Sequence, residues 1–263
     1  MSDDESENEE VYDIREFQFE DMPPSCTWII IAPPGTGKSA FLNDLAYQTK
    51  HRYPAGKFYI GVEDEYEKWK NRVPPLYVSN KYSEEEFAES TKRQKKCAAE
   101  NGDKHPDNYS IEIFDDIADD PKIFRNKLWG MAFKYGSQHY HRCLVIATQY
   151  AMEFPPIMRR ATSFVALGRE PEDGERKKLF DQFGGILKTR ERFDKFMDEL
   201  TGDHTFLIFV KRIQSNNIED CVFFYRTRVE KDGVPTKWKF GCKELHKSNN
   251  ERYDKNYKEE IEI

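Results

Sequence analysis

Eight residues, Ala32-Pro33-Pro34-Gly35-Thr36-Gly37-Lys38-Ser39, stand between a short apolar β-branched run, Trp28-Ile29-Ile30-Ile31, and a helical pattern that starts near Lys38 and carries Phe41, Leu42 and Leu45 on one face. A Gly-rich turn from strand into helix is the context of a phosphate-binding P-loop. Unpaired backbone N–H groups and the positive end of the helix dipole converge on one point, and that point favours an anion. Lys38 adds a cation for β- and γ-phosphates, and Ser39 a hydroxyl for Mg2+. Such loops usually open on Gly. Here Ala32 stands there, small enough for a strand end but less free in backbone angle. Pro33 and Pro34 donate no N–H, so the anion cradle must come from the amides of residues 35–39. The nucleotide site is expected over Pro34, Gly35, Thr36, Gly37, Lys38, Ser39 and Ala40, with Ser39 as a metal ligand.

Hydrolysis needs more than phosphate binding: a positioned metal and an activated water. The run Ile111-Glu112-Ile113-Phe114 ends in Asp115-Asp116. In parallel α/β sheets ligands bind beyond the carboxyl ends of strands, so this pair faces the P-loop. Asp115 is expected to hold Mg2+ through water and Asp116 to act as the base that polarises the attacking water. A second buried run, Leu144-Val145-Ile146-Ala147, delivers Thr148-Gln149 to the same edge. The Gln149 amide can donate to phosphate and accept from water, which suits a γ-phosphate or water sensor. Arg159, Arg160 and Arg169 follow. An arginine that reaches the nucleotide of a neighbouring subunit stabilises charge in the transition state; residue type alone leaves the three as rivals.

The elements that must position these residues alternate strand and helix. Residues 57–61 read as a strand, 64–72 as a charged helix stopped by Pro74-Pro75, and 76–78 as a short strand. Ser83 with Glu86 three residues on is a capping-box start for a helix running to about Glu100, with Asn101-Gly102 ending it. Its basic middle, Lys92-Arg93-Gln94-Lys95-Lys96, reads as a solvated face, with a phosphate-backbone contact as the sharper alternative. Then come a strand at 110–114, a helix at 121–135 capped by Asp119 or Asp120, strands at 143–147 and 164–167, helices at 173–183 and 190–200, and strands at 205–211 and 221–226. Ser215-Asn216-Asn217 suits the turn of that last pair. The order predicts an α/β fold: a mostly parallel sheet flanked by helices, with a C-terminal β-hairpin.

Composition sets the frame. The 263 residues are 38% hydrophobic and 34% charged, enough for one large α/β domain whose apolar residues gather in clear runs. No run reaches the length of a membrane span, and the acidic, polar N-terminus does not read as a signal peptide. The five cysteines are scattered with no CxxC pair and read as free thiols of a reducing compartment. His139 and His141 lack the Cys or carboxylate neighbours that a metal site needs. Net charge is −7, and six acids with no base in residues 1–10 leave the rest near −1. That stretch reads as a disordered acidic tail. The expected organisation is a tail and lead-in over 1–24, a P-loop domain over 25–247 and a polar tail over 248–263.

With these residues in place, the chain resembles the genome-packaging ATPases of nucleocytoplasmic large DNA viruses and virophages, a branch of the FtsK–HerA superfamily of DNA-pumping motors. The resemblance rests on four stretches. They are the loop from Ile31 to Ser39, Ile113-Phe114-Asp115-Asp116, His139-Tyr140 leading to Ala147-Thr148-Gln149, and Pro155-Pro156-Ile157-Met158-Arg159. Residues 178–185 and the terminal hairpin are also similar, and the resemblance spans roughly residues 25–228. Gln138 stands where the family usually has Arg, and Ala161 where it often has Asn. The resemblance implies a RecA-like P-loop NTPase fold, ATP with Mg2+, and hydrolysis that drives double-stranded DNA into a capsid. It implies a homo-oligomeric ring (pentamer or hexamer), capsid or portal partners, and a place in the host cytoplasm or the virion. It also favours Arg159 as the arginine acting across a subunit boundary. The alternative is an ATP-dependent DNA-binding switch or helicase-like ATPase that does not pump; Asp116 and Gln149 favour the motor, since a pure switch needs no base.

Overall fold

Strands that are apolar throughout need cover on both faces. A computed structural model describes residues 12–102, 105–117 and 121–252 and shows how the cover is supplied. The strands are β1 (Cys26–Ile31), β2 (Ala55–Ile60), β3 (Val78–Ser79), β4 (Ser110–Asp115), β5 (Arg142–Thr148), β6 (Phe164–Leu167), β7 (Thr205–Val210) and β8 (Val222–Arg226). They form one sheet in the order β3-β2-β4-β5-β1-β6-β7-β8. Neighbours from β3 through β6 run parallel, and β7 pairs antiparallel with both β6 and β8. This is the mostly parallel sheet with a terminal antiparallel pair that the strand–helix alternation predicts.

The helices are α1 (Lys38–Thr49), α2 (Glu63–Lys70), α3 (Glu84–Asn101), α4 (Lys127–His139), α5 (Pro156–Ala161), α6 (Asp173–Phe183), α7 (Arg190–Leu200), α8 (Ile218–Cys221) and α9 (Lys243–Arg252). Successive strand residues point to opposite faces, and β1 splits accordingly. Trp28 and Ile30 pack with Phe41, Leu42 and Leu45 of α1; Ile29 and Ile31 pack on the other face, the side of Trp129 and Phe133 of α4 and Phe193 and Met197 of α7. Burying each such side chain contributes about 1.5–3 kcal/mol. The central strands are thus clamped from both sides, and their carboxyl ends are held at fixed heights.

One buried charge pair joins two central strands inside this frame. Glu112 on β4 and Arg142 on β5 are both buried and bonded to each other. Ser90 donates to Glu112 at 2.7 Å, and Arg142 donates to Thr91 at 2.6 Å, which ties α3 to the sheet. The basic run on α3 is mostly a solvated face: Lys92 pairs with Glu89 at 2.6 Å, while Gln94 turns inward and donates to the carbonyl of Asn108. Ser83 accepts from the Glu86 N–H, as the capping pattern predicts.

Four expectations are corrected. The helix over 121–135 divides into a 3-10 turn at Pro121–Arg125 and α4, because Asn126 accepts from the Leu128 N–H and starts a new helix there. Asp119 and Asp120, expected as its caps, lie outside the described residues. The strand at 76–78 is mostly a 3-10 turn, Pro75–Tyr77, since prolines at 74 and 75 fix that geometry; β3 keeps two residues. The last two strands are joined by a long connection containing α8 rather than a tight turn, with Ser215 accepting from the Asn217 N–H just ahead of that helix. At the C-terminus, α9 runs into the stretch read as a tail: Asn249 is buried and accepts from the Leu76 N–H at 3.0 Å. The lead-in also contributes to the core, where Phe17, Phe19 and Met22 are buried. Residues 1–11 and 253–263 lie outside the described residues. All five cysteines are free, and among the described residues no helix is long and apolar enough to cross a membrane.

Candidate active site

Register brings three strand ends level. Ile31 of β1 pairs with Thr148 of β5, and Ala147 pairs with Asp115 of β4. The P-loop leaves from β1, Asp115-Asp116 from β4 and Gln149 from β5, so all meet at one edge. The loop turns through left-handed backbone at Gly35 (φ 80°) and Gly37 (φ 101°), and α1 begins at Lys38. Thr36 fastens the turn: its N–H and its hydroxyl both bond to the Pro33 carbonyl, at 3.2 and 2.7 Å. Across the cleft Gly61 leaves β2 against the β4 end. Its N–H bonds to the Asp115 carbonyl at 2.8 Å, and a Cβ there would stand 2.0 Å from the Asp116 carbonyl oxygen, so only glycine fits.

Asp116 is itself left-handed, with φ 48°. Its N–H bonds to the Ala147 carbonyl at 3.1 Å, which holds this turn against β5. Four predicted side chains then interlock. Lys38 Nζ donates to Asp115 Oδ1 at 2.7 Å and to Asp116 Oδ2, and Gln149 Nε2 donates to Asp116 Oδ2 at 2.7 Å. Asp115 is almost fully buried, and burial pushes its carboxyl up to about 6; Lys38 opposes that rise, while the charges of Asp116 and Glu65 add to it. The whole borders a cleft of about 370 Å³ that also takes in Pro34, Gly35, Ser39 and Ala40. Ser39 and Asp115 present hard oxygen donors to the same space, a donor set that fits Mg2+.

The arginines lie elsewhere. Arg159 is half-buried on α5, and its carbonyl accepts from Lys211 Nζ at 2.6 Å. The end of α5 sits beside the start of β1, where Thr27 donates to the Ala161 carbonyl at 2.7 Å. That is the far end of the sheet from the chain's own P-loop. Arg160 is exposed. Arg169 is engaged at the end of α7, donating to the carbonyls of Asp198 and Thr201 at 2.7 and 2.8 Å.

Three residues that line the cleft escaped the sequence reading: Val62, Glu65 and His204. Val62 and Glu65 follow Gly61 at the end of β2, which is the one signal that marked their position. His204 comes from the turn before β7, and nothing local in the sequence points from there to the P-loop.

No protein-family model matches the chain. Protein 088R of Invertebrate iridescent virus 3 is 32% identical over 213 residues, covering 81% of this chain and 79% of that protein. The chain belongs to the same family as 088R. Protein 075L of Invertebrate iridescent virus 6 is 29% identical over 231 residues, 87% of this chain and 86% of its own length. Protein L437 of Acanthamoeba polyphaga mimivirus is 21% identical over 251 residues, 94% of this chain and 86% of its own. The family is thus one of large DNA viruses. Among solved structures, the genome packaging NTPase B204 from Sulfolobus turreted icosahedral virus 2, in complex with AMP, matches with a TM-score of 0.56 at 14% identity, over 79% of this chain and 100% of that one. The pCW3 conjugation coupling protein TcpA, with ATPγS, matches with a TM-score of 0.51 at 14% identity, over 77% of this chain and 60% of that one. At these identities the likeness is one of fold, and the fold is that of P-loop ATPases, in agreement with the resemblance carried by the motifs.

Proposed function

We propose that the chain hydrolyses ATP with Mg2+ and uses the energy to move double-stranded viral DNA into a capsid, working as a ring of identical copies. The observation that carries this is the meeting of Lys38, Asp115, Asp116 and Gln149 at the mouth of the P-loop. A phosphate site alone has no use for a carboxylate held by an amide; a hydrolase has. The N–H groups of residues 35–39 and the start of α1 receive the phosphate chain. Lys38 turns from its carboxylates toward the β- and γ-phosphates. Ser39 and Asp115 hold Mg2+, which neutralises phosphate charge. Asp116 accepts the proton of the attacking water, and Gln149 keeps that carboxylate in place. Arg159, on the far side of the subunit, serves the nucleotide of a neighbour. The viral relatives and the packaging NTPase fold support the choice of DNA as the cargo.

The test is ATP turnover by the full chain with and without double-stranded DNA, with the mass of the assembly measured in parallel. DNA is expected to stimulate turnover in a multimeric particle, and DNA affinity to fall as salt rises. Lys38→Ala is expected to abolish turnover and greatly weaken nucleotide binding. Unchanged affinity and turnover in that variant would remove the nucleotide site. Stimulation by RNA alone would point to a helicase-like ATPase, and indifference to any nucleic acid to a nucleotide-dependent switch.

A further inference from the structure

The turn that joins α7 to β7 has an uncommon backbone. Asp203 and His204 are consecutive non-glycine residues in the left-handed region, with φ 46° and 60°. Such backbone persists where its surroundings fix it, and it gathers at binding sites. Here the surroundings do fix it. The His204 carbonyl accepts from the Thr227 N–H at 3.1 Å, the Thr205 N–H bonds to the Gly202 carbonyl at 2.9 Å, and Arg226 donates to the Asp203 carboxylate at 2.9 Å. The antiparallel pair β7–β8 therefore holds both ends of the turn.

The effect is to present His204 to the P-loop. Its side chain is exposed, yet it lies against Gly37: a Cβ on that glycine would stand 2.5 Å from His204 Nδ1. His204 lines the same cleft as Gly35, Lys38, Asp115 and Gln149, and reaches it from outside the parallel part of the sheet. An imidazole beside the amides of residues 35–39 adds a side-chain donor to a cradle otherwise made of backbone and Lys38. We propose that His204 is a nucleotide-binding residue whose imidazole donates a hydrogen bond to the phosphate chain held by the P-loop; the proposal rests on the reading of residues 35–39 as a nucleotide site.

Two full-length variants separate a ligand contact from a packing role. His204→Gly removes the imidazole and relieves the left-handed backbone, so its fold is expected to be retained. His204→Asn keeps a side-chain donor and tolerates the left-handed angle. Equilibrium binding of ATP and of inorganic tripolyphosphate is measured for wild type and both variants, with the melting temperature of each nucleotide-free protein. A hydrogen bond to a charged group corresponds to roughly ten- to hundred-fold in affinity. His204→Gly is expected to weaken both ligands by a similar factor in that range, with no fall in melting temperature, and His204→Asn to recover most of the loss. Wild-type affinity in His204→Gly would overturn the proposal. So would a loss for ATP with none for tripolyphosphate, since the imidazole would then meet base or sugar. Wild-type protein that binds neither ligand would overturn the nucleotide reading together with the proposal.

Discussion

Lys38 is bonded to Asp115 and to Asp116, one carboxylate buried and one half-buried. On the proposed reading, a triphosphate arriving at the loop would compete with both for that ammonium and would free the two carboxylates for the roles proposed for them. The two should therefore separate in phenotype. Asp116→Asn is expected to bind Mg-ATP with near-wild-type affinity and to hydrolyse it about 10²–10⁴-fold more slowly, the usual contribution of a positioned base. Asp115→Asn should in addition lose the dependence of nucleotide affinity on Mg2+. Titrating nucleotide at several Mg2+ concentrations, alongside turnover, checks both; wild-type turnover in Asp116→Asn would make that residue structural. Much of this site was legible because each part is local: a loop of eight residues, a carboxylate pair at one strand end, an amide at another. His204 was not, because its approach to Gly37 depends on the antiparallel strands and on two left-handed residues that no local pattern announces.

Among the elements, α1 carries the loop into the core and is itself pinned from the C-terminal strands. Asp44, in the middle of α1 and fully buried, accepts from the Tyr225 hydroxyl at 2.6 Å, from the Arg228 N–H at 2.7 Å and from Gln48 at 3.2 Å. Burial pushes the Asp44 carboxyl up, and those hydrogen bonds oppose the rise without cancelling it. A carboxyl that ionises less readily in the fold than in the unfolded chain contributes its full stability below its ordinary range, and the contribution is lost as pH rises through the folded value. Urea unfolding of wild type and Asp44→Asn should therefore show the balance moving toward the Asn variant as pH rises from 4 through the raised value. Asp44→Ala takes the acceptor from three donors, and for the two closest, the Tyr225 hydroxyl and the Arg228 N–H, it should destabilise by about 1–3 kcal/mol each; equal stability of the Ala variant and wild type would refute the pin. Element types were largely readable from apolar runs and caps. Their ends were not where a competing cap intervened, as at Asn126, or where stability comes from a distant partner, as for α9 through Asn249 and Leu76.

At the scale of the whole molecule, Arg159 and the P-loop occupy opposite ends of the sheet, so an arginine at that position serves a nucleotide only by crossing to another copy. A guanidinium there can donate two hydrogen bonds to phosphoryl oxygens and contribute roughly 10³–10⁵ in rate. Arg159→Ala and Lys38→Ala proteins are each expected to be inactive alone and to regain partial activity when mixed, because some interfaces then pair an intact P-loop with an intact arginine. A mixture shown to co-assemble without rescue would refute the trans role for Arg159 and pass the same experiment to Arg160. Arg169 is a weaker rival, since its guanidinium is already bonded at the end of α7.

The lead-in has a wider consequence. Phe17 donates its N–H to the Phe224 carbonyl at 2.8 Å, and Phe224 returns one to Arg15 at 3.1 Å, so the middle of β8 is already paired on its outer side. At the opposite margin β2 meets only the two residues of β3, while the Cys242 N–H bonds to the Pro54 carbonyl at 2.9 Å just before β2. An unpaired strand at the rim of a sheet is a template for fibre-like growth from chain to chain. Here both rims are blunted, one by the chain's own beginning and one by a strand too short to copy. Crowded copies are thereby steered away from backbone zippering and toward contacts made by side chains of helices and loops, which can loosen and re-form without unravelling the sheet.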